Sequence, residues 1–232
     1  MKTSFWTKLF DFISPRLCVI CGNRLLASQS VLCSHCMMHL PFTDYHLSPL
    51  DNPMARLFWG LFPIEKASAL FFYEPKADTK ELIYDLKYRG YPETGESMGA
   101  IMARRYQPSG FFDGIDAIIP VPLTRWRQWK RGYNQSEMIA KGIKEVTGLP
   151  ILRKTLIRTA FSGSQTKKNL WERKENVTDV FRLTHPMQVE GKHVLLIDDI
   201  VTTGATISAC ATELCKVEGV KVSVLALGLT KT

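Results

Sequence analysis

Val194-Leu195-Leu196-Ile197-Asp198-Asp199-Ile200-Val201-Thr202-Thr203-Gly204-Ala205-Thr206 is the stretch from which the rest of the chain is read. Residues 193–197 are apolar after the first, which predicts a short strand covered on both faces and central in a parallel sheet. That strand is expected to end at two adjacent carboxylates, then turn through threonines and a glycine into a helix over 206–217. In open α/β sheets, ligands bind just beyond the carboxyl ends of the strands. A helix N-terminus at that place presents unpaired N–H groups and a partial positive charge, which suits a phosphate monoester. Thr202, Thr203 and Thr206 add hydroxyl donors, and Gly204 lets the backbone approach without a Cβ in the way. Asp198 and Asp199 would repel phosphate; vicinal sugar hydroxyls, held directly or through Mg²⁺, are their natural partners. The bland alternative is an ordinary turn with Thr and Asp as cap residues. The spacing fits neither a Gly-rich dinucleotide fingerprint nor a Walker loop, since no Gly-Lys-Ser/Thr follows.

Outward from this stretch, strand-like and helix-like segments alternate from about residue 66, as in a parallel sheet covered by helices. Residues 67–73 read as a strand, and 79–88 as a helix with Leu82, Ile83 and Leu86 on one face. Residues 117–121 read as a β-branched strand ending in Pro120-Val121-Pro122. A helix follows over 134–146, with Met138, Ile139 and Ile143 inward and Gly148-Leu149-Pro150 as its stop. The polar stretch 159–176 predicts a mobile loop, and 220–229 a closing strand. Asp, Ser, Asn and Pro punctuation over 41–53 marks a module boundary: 1–50 an N-terminal helix and cysteine module, 51–232 the main domain. There is no internal repeat.

Cys18-x₂-Cys21 and Cys33-x₂-Cys36 form two metal-knuckle pairs separated by eleven residues, ample chain to bring four sulfurs to one tetrahedral Zn²⁺. Four sulfurs leave no open coordination position, so such a zinc is structural. Redox dithiol pairs are the rival, but a thioredoxin-type motif needs a neighbouring βαβ pattern. His35 and His39 fall on the following helix and would replace a cysteine only in an atypical site. Cys210 and Cys215 read as buried thiols.

Arg125-Trp126-Arg127-Gln128-Trp129-Lys130-Arg131-Gly132-Tyr133 interleaves cations with rings. Single-stranded nucleic acid fits such a surface, phosphates on the cations and bases on the rings. A pyrophosphate site explains the same cations, with the tryptophans anchoring the segment to the core.

Taken together, the 198–206 stretch, the cysteines 18–36, Leu86-Lys87-Tyr88-Arg89-Gly90, Pro120-Val121-Pro122, Arg131-Gly132-Tyr133-Asn134-Gln135 and residues 165–177 resemble the ComF family, within the type I phosphoribosyltransferases. The resemblance covers nearly the whole chain and is far more specific for the family than for a reaction. It implies a type I phosphoribosyltransferase fold, a parallel sheet flanked by helices, with a small four-cysteine zinc module ahead of it. It also implies phosphoribosyl pyrophosphate as ligand: Asp198, Asp199, Ile200, Val201, Thr202, Thr203, Gly204, Ala205 and Thr206 would hold the ribose and 5′-phosphate. Val121, Pro122, Leu123, Arg125 and Arg131 would hold the pyrophosphate. Lys87 either joins them or is a solvated lysine at a helix end. Residues 165–177 resemble the flexible loop that closes over such sites, bringing in Arg173; a plain surface loop is the alternative. Asp198, Asp199 and Arg173 are then the catalytic candidates, with Mg²⁺ as cofactor and an amine or base as acceptor. A relic or sensor without turnover, or a single-stranded DNA-binding competence factor working with DNA-uptake proteins on the same scaffold, stands beside this reading.

The bulk properties agree. The 232 residues are 45% hydrophobic and 22% charged, as in ordinary globular proteins, with a formal charge of +8 that favours polyanions. Four thiolates and one Zn²⁺ would leave about +6. No stretch is apolar enough to span a bilayer; the densest run is 67–73. Asp11 and Pro15 interrupt what a secretory signal would need, and Trp6, Leu9, Phe10 and Ile13 recur at helical spacing instead. A short helix packed on the body is expected there, membrane-surface binding being the weaker reading. A cytoplasmic location, with cysteines as thiols or metal ligands, follows as the expectation.

Overall fold

The computed structural model describes residues 15–159 and 180–231. The expected N-terminal helix around Trp6 and Phe10, and the loop 160–176 with Arg173, lie outside the described residues. Four parallel strands form the sheet: β1 (Ile64–Tyr73), β2 (Ala117–Pro120), β5 (His193–Val201) and β6 (Lys221–Thr230), in the order β1-β6-β5-β2. A two-stranded antiparallel hairpin, β3 (Leu156–Arg158) with β4 (Phe181–Leu183), stands apart from it. The sheet is the expected one, with β5 inside it, and β5 reads as apolar because both its faces are covered. The hairpin was not expected, its strands being three residues each and separated by a long polar segment.

Helices cover both faces. One face carries α3 (Lys80–Tyr84), α4 (Pro92–Tyr106) and α6 (Gln135–Thr147), packed through Leu82, Met98, Met102, Ile139 and Ile143, with Leu86 just after α3, onto Leu195, Ile197 and Leu225. The other face carries α2 (Pro53–Arg56) and α7 (Ala205–Leu214); Met54, Ile207 and Leu214 of these helices, with Phe58 just after α2, meet Val194, Leu196 and Val224. The small helices α1 (Ser34–Met38) and α5 (Arg125–Arg131) complete the set. Alternate residues of β5 thus serve the two cores, as a period of two requires.

The long helix α4 escaped sequence reading because glycines interrupt its apolar pattern, and packing is their reason. A Cβ on Gly99 would lie 2.1 Å from the Ile139 carbonyl oxygen, and one on Gly142 would lie 1.9 Å from that of Glu96. α4 and α6 therefore touch backbone to backbone, a closeness that bulkier residues would forbid.

Other boundaries moved. The expected helix 79–88 is α3 followed by a π-helical turn, Asp85–Arg89. β5 does not stop at Ile197 but runs through both aspartates to Val201, registered against Ala226, Gly228 and Leu229 of β6. The helix after it ends at Leu214, so Cys215 is a partly exposed cap residue, whereas Cys210 is buried. Both sheet edges are covered: residues 41–49 run along β1, where Phe72 N donates to Pro41 O (2.8 Å) and Ala67 N to Pro49 O (2.9 Å), and 150–152 run along β2.

Candidate ligand site at the carboxyl end of the sheet

β5 delivers Asp198 and Asp199 to the sheet's carboxyl end, pointing to opposite faces. Asp198 Oδ1 accepts from Asp199 N at 2.8 Å and from Ser136 Oγ, in the first turn of α6, at 3.2 Å. Asp199 Oδ1 accepts from Ile200 N at 2.7 Å and pairs with Lys87 Nζ at 3.0 Å. Burial pushes the Asp198 carboxyl up to about 7, the neighbouring Asp199 charge adding to it, against the hydrogen bond from Asp199 N and the charge of Lys87. Two adjacent carboxylates with one lysine suit a divalent cation or a pair of hydroxyls, either of which would relieve that repulsion.

Beyond Val201 the chain turns through exposed Thr202 and Thr203 to Gly204, which starts α7 at φ +77° with no side-chain cap. Gly204 is fixed twice over: by its left-handed backbone, and because a Cβ there would sit 2.8 Å from the Phe58 ring. A crevice of about 50 Å³, lined by Asp198 and residues 200–207, lies at this helix mouth. Of the nine residues assigned to ribose and phosphate, all but Asp199 line this one small cavity, as the end of β5, the turn after it and the start of α7.

The neighbouring turn is tied to it. Val121 N donates to Ile197 O (2.9 Å), extending the β2–β5 ladder by one bond, and Asn134 Nδ2 donates to Val121 O (3.0 Å). Pro122 and Leu123 follow, and Thr124 caps α5 by accepting from Arg127 N at 3.3 Å. Arg125 begins this helix, while Arg131 ends it and turns back, donating to Gln135 Oε1 at 2.9 Å and lying over the Tyr88 ring. Lys87 is no solvated helix-end lysine: it sits in the π-helical turn with its amine on Asp199, and Tyr133 Oη donates to the adjacent Leu86 O at 2.7 Å. π-Turns recur at functional sites because they re-aim side chains within a helix.

Trp126 and Trp129 do not anchor this segment. They are 63% and 82% exposed on α5, a helix with no buried residue at all. Sequence reasoning also missed Ser136 and Arg158. Ser136 lies one residue beyond the Arg131–Gln135 motif, so only its proximity to Asp198 reveals it. Arg158 sits on the unforeseen hairpin, half-buried over the Phe181 ring; burial chiefly lowers its pKa, Arg127 adds to that, and Asp198 is among the charges opposing it.

At the other end of the fold, Cys18, Cys21, Cys33 and Cys36 place their sulfurs within 4.8 Å of one another. Cys21 and Cys33 Sγ are 3.7 Å apart, close to the ~3.8 Å edge of a tetrahedron with 2.3 Å zinc–sulfur bonds. Cys36 N donates to Cys33 Sγ at 3.4 Å, and Cys33 is the N-cap of α1. Burial and the neighbouring sulfurs push the Cys36 thiol up, so a bound cation is what would let it ionise. His35 and His39 pack against each other with their rings tilted by 35°, and stand outside the cluster. The donor set fits a closed zinc site.

No family model matches the chain. The DNA utilization protein YhgH of Shigella flexneri is 28% identical over 198 residues, which cover 84% of this chain and 82% of that protein. Competence protein F of Haemophilus influenzae is 31% identical over 199 residues, covering 82% of this chain and 75% of its own. Among solved structures, the glutamine phosphoribosylpyrophosphate amidotransferase from B. subtilis is similar at a TM-score of 0.37 and 20% identity over 56% of this chain. The chain spans 25% of that enzyme's length.

Proposed function

The chain belongs to the ComF family of competence proteins, and from that premise we propose that it binds magnesium-bound phosphoribosyl pyrophosphate, transfers the phosphoribosyl group to an amine or base, and releases pyrophosphate in the service of DNA uptake. One observation carries the reading: twin carboxylates at the end of β5, followed directly by a Gly204-started helix mouth around a small crevice. The N–H groups of 203–206 and the threonine hydroxyls would grip the 5′-phosphate. Asp198 and Asp199 would engage the ribose diol, and the turn 121–123 with Arg125 and Arg131 would face the pyrophosphate. Asp198 and Asp199, with the bound sugar's own oxygens, would hold Mg²⁺, which would neutralise charge on the leaving group. No protein nucleophile is needed, since the acceptor attacks the anomeric carbon. The test is pyrophosphate release from phosphoribosyl pyrophosphate across ammonia, amines and nucleobases with a no-acceptor control; no release with any of them, above the control, would leave a binding protein without turnover.

The exposed Trp126 and Trp129 among four cations on α5 favour a second, compatible reading, a single-stranded DNA surface. Titration of oligothymidylate onto W126A/W129A protein tests it: base stacking predicts a loss of about tenfold or more, and unchanged affinity would remove the surface. Zn²⁺ in the four-cysteine cluster would be structural.

A further inference from the structure

The junction between α5 and α6 reaches several parts of the site from consecutive residues. Asn134 Nδ2 donates to Val121 O at 3.0 Å, and Ser136 Oγ donates to Asp198 Oδ1 at 3.2 Å. Tyr133 reaches neither the pyrophosphate turn nor a carboxylate. Its Oη donates to Leu86 O at 2.7 Å, a backbone atom one residue before Lys87.

Leu86 and Lys87 lie in the π-helical turn Asp85–Arg89, and carbonyls in the last turn of a helix have no partner further along it. Leu86 is fully buried, so its carbonyl needs a donor from outside the helix. Tyr133 is that donor, and it is itself held on both sides. Gly132 N donates to Gln128 O at 2.8 Å where α5 ends, and Asn134 Oδ1 accepts from Ser136 N at 3.0 Å where α6 begins. The Tyr133 ring packs against the core cluster that contains Leu86 and Met98. Burial, then the charge of Asp85, pushes its hydroxyl up to about 12 against the charge of Arg131, so the group stays protonated and donates.

α4 holds the other side of the same turn. Thr94 Oγ1 donates to Asp85 Oδ2, and a Cβ on Gly95 would lie 2.9 Å from Leu86 Cδ1. Lys87 is the side chain aimed by a turn pinned in this way, with Nζ 3.0 Å from Asp199 Oδ1.

We propose that Tyr133 is a positioning residue: by holding the Leu86 carbonyl it fixes the π-turn and thereby sets Lys87 on Asp199. Without the hydroxyl the turn is free to pass from i→i+5 to i→i+4 bonding, which rotates its side chains about the helix axis and takes the amine off the carboxylate. The clamp rests on geometry alone. Its use rests on the phosphoribosyl pyrophosphate reading, in which the ligand engages the carboxylate that this amine occupies.

Urea denaturation of the K87M/D199N cycle in three backgrounds tests the clamp: the parent, Y133F, and Y106F. Y106F removes a tyrosine hydroxyl that donates to another backbone carbonyl, Ala69 O at 2.8 Å, away from the π-turn. Lys87 and Asp199 are expected to be coupled about tenfold in the unfolding constant in the parent and in Y106F, and less than about twofold in Y133F. Coupling that survives Y133F, that is equally lost in Y106F, or that is absent from the parent overturns the proposal. So does a Y133F chain without a cooperative transition where Y106F has one, because the hydroxyl would then hold the fold and not the lysine. Calorimetry with Mg-phosphoribosyl pyrophosphate tests the use: Y133F and K87M each weaken binding about tenfold, and Y133F/K87M binds no more weakly than K87M. Losses that add in the double variant show that Tyr133 does not act through Lys87. A parent chain that ignores this ligand sinks the phosphoribosyl reading, while the lost coupling in Y133F leaves the clamp standing.

Discussion

Lys87 and Asp199 hold each other at the carboxyl end of β5: Nζ lies 3.0 Å from Oδ1, with the side chains 20% and 13% exposed. The pair joins a π-helical turn on one face of the sheet to the carboxyl end of its central strand. A ligand that engages Asp199 must share it with this amine or displace it, which frees a cation beside the place assigned to pyrophosphate.

Because both groups are largely out of water, breaking the pair from either side leaves an uncompensated charge. K87M and D199N should each destabilise the free protein, and the double variant should lose less than the two together. Urea denaturation of the cycle is expected to give a coupling of about 1–2 kcal/mol. Purely additive losses would mean that the contact carries no energy.

Burial, and then the charge of Asp199, push the Asp198 carboxyl up to about 7 in the folded chain, against about 4 when unfolded. Between these values the folded chain keeps a proton that the unfolded chain has released. Stability contributed by this group is therefore whole below about pH 4, falls as pH rises through the window, and is gone above about 7. D198N should then raise the stability of the ligand-free protein at pH 8.5 by on the order of 2–4 kcal/mol, and by much less at pH 5. A D198N protein no more stable at pH 8.5 than at pH 5, relative to the parent, would contradict the assignment of a protonated, costly carboxylate.

The four-cysteine module shares one apolar cluster with the main domain: Leu32 and Leu40 belong with Phe71, Leu82 and Met102. Removal of its metal should therefore be felt by the whole fold. The purified protein is expected to hold about one zinc per chain, and chelation or C21S to lower the midpoint of a single unfolding transition. Metal-free protein of undiminished stability would refute the site.

Much of this was legible in the sequence because the informative residues are local. The 194–206 stretch contains its own strand, turn and helix start, and two Cys-x₂-Cys pairs name their own chemistry. What escaped depends on partners distant in sequence. Gly99 and Gly142 look like helix breakers until the backbone contact between α4 and α6 explains them. Ser136 acquires meaning only beside Asp198, and Arg158 only on a hairpin whose two short strands are separated by a polar segment. Trp126 and Trp129 were open between core and surface, since composition does not reveal which way a ring faces; both face water. The length of β5 was underestimated because aspartates are poor strand formers, and here tertiary pairing with β6 overrides that preference.

The central claim is that Asp198, Asp199 and the helix mouth beyond them form one site for magnesium-bound phosphoribosyl pyrophosphate. Its most direct test is calorimetric titration of that ligand, with and without Mg²⁺, into the parent chain and the D198N/D199N variant. The account predicts saturable, magnesium-dependent binding to the parent and a loss of about a hundredfold or more in the variant, whose own urea denaturation monitors its fold. Binding of equal strength to both proteins, or none to either, would contradict it.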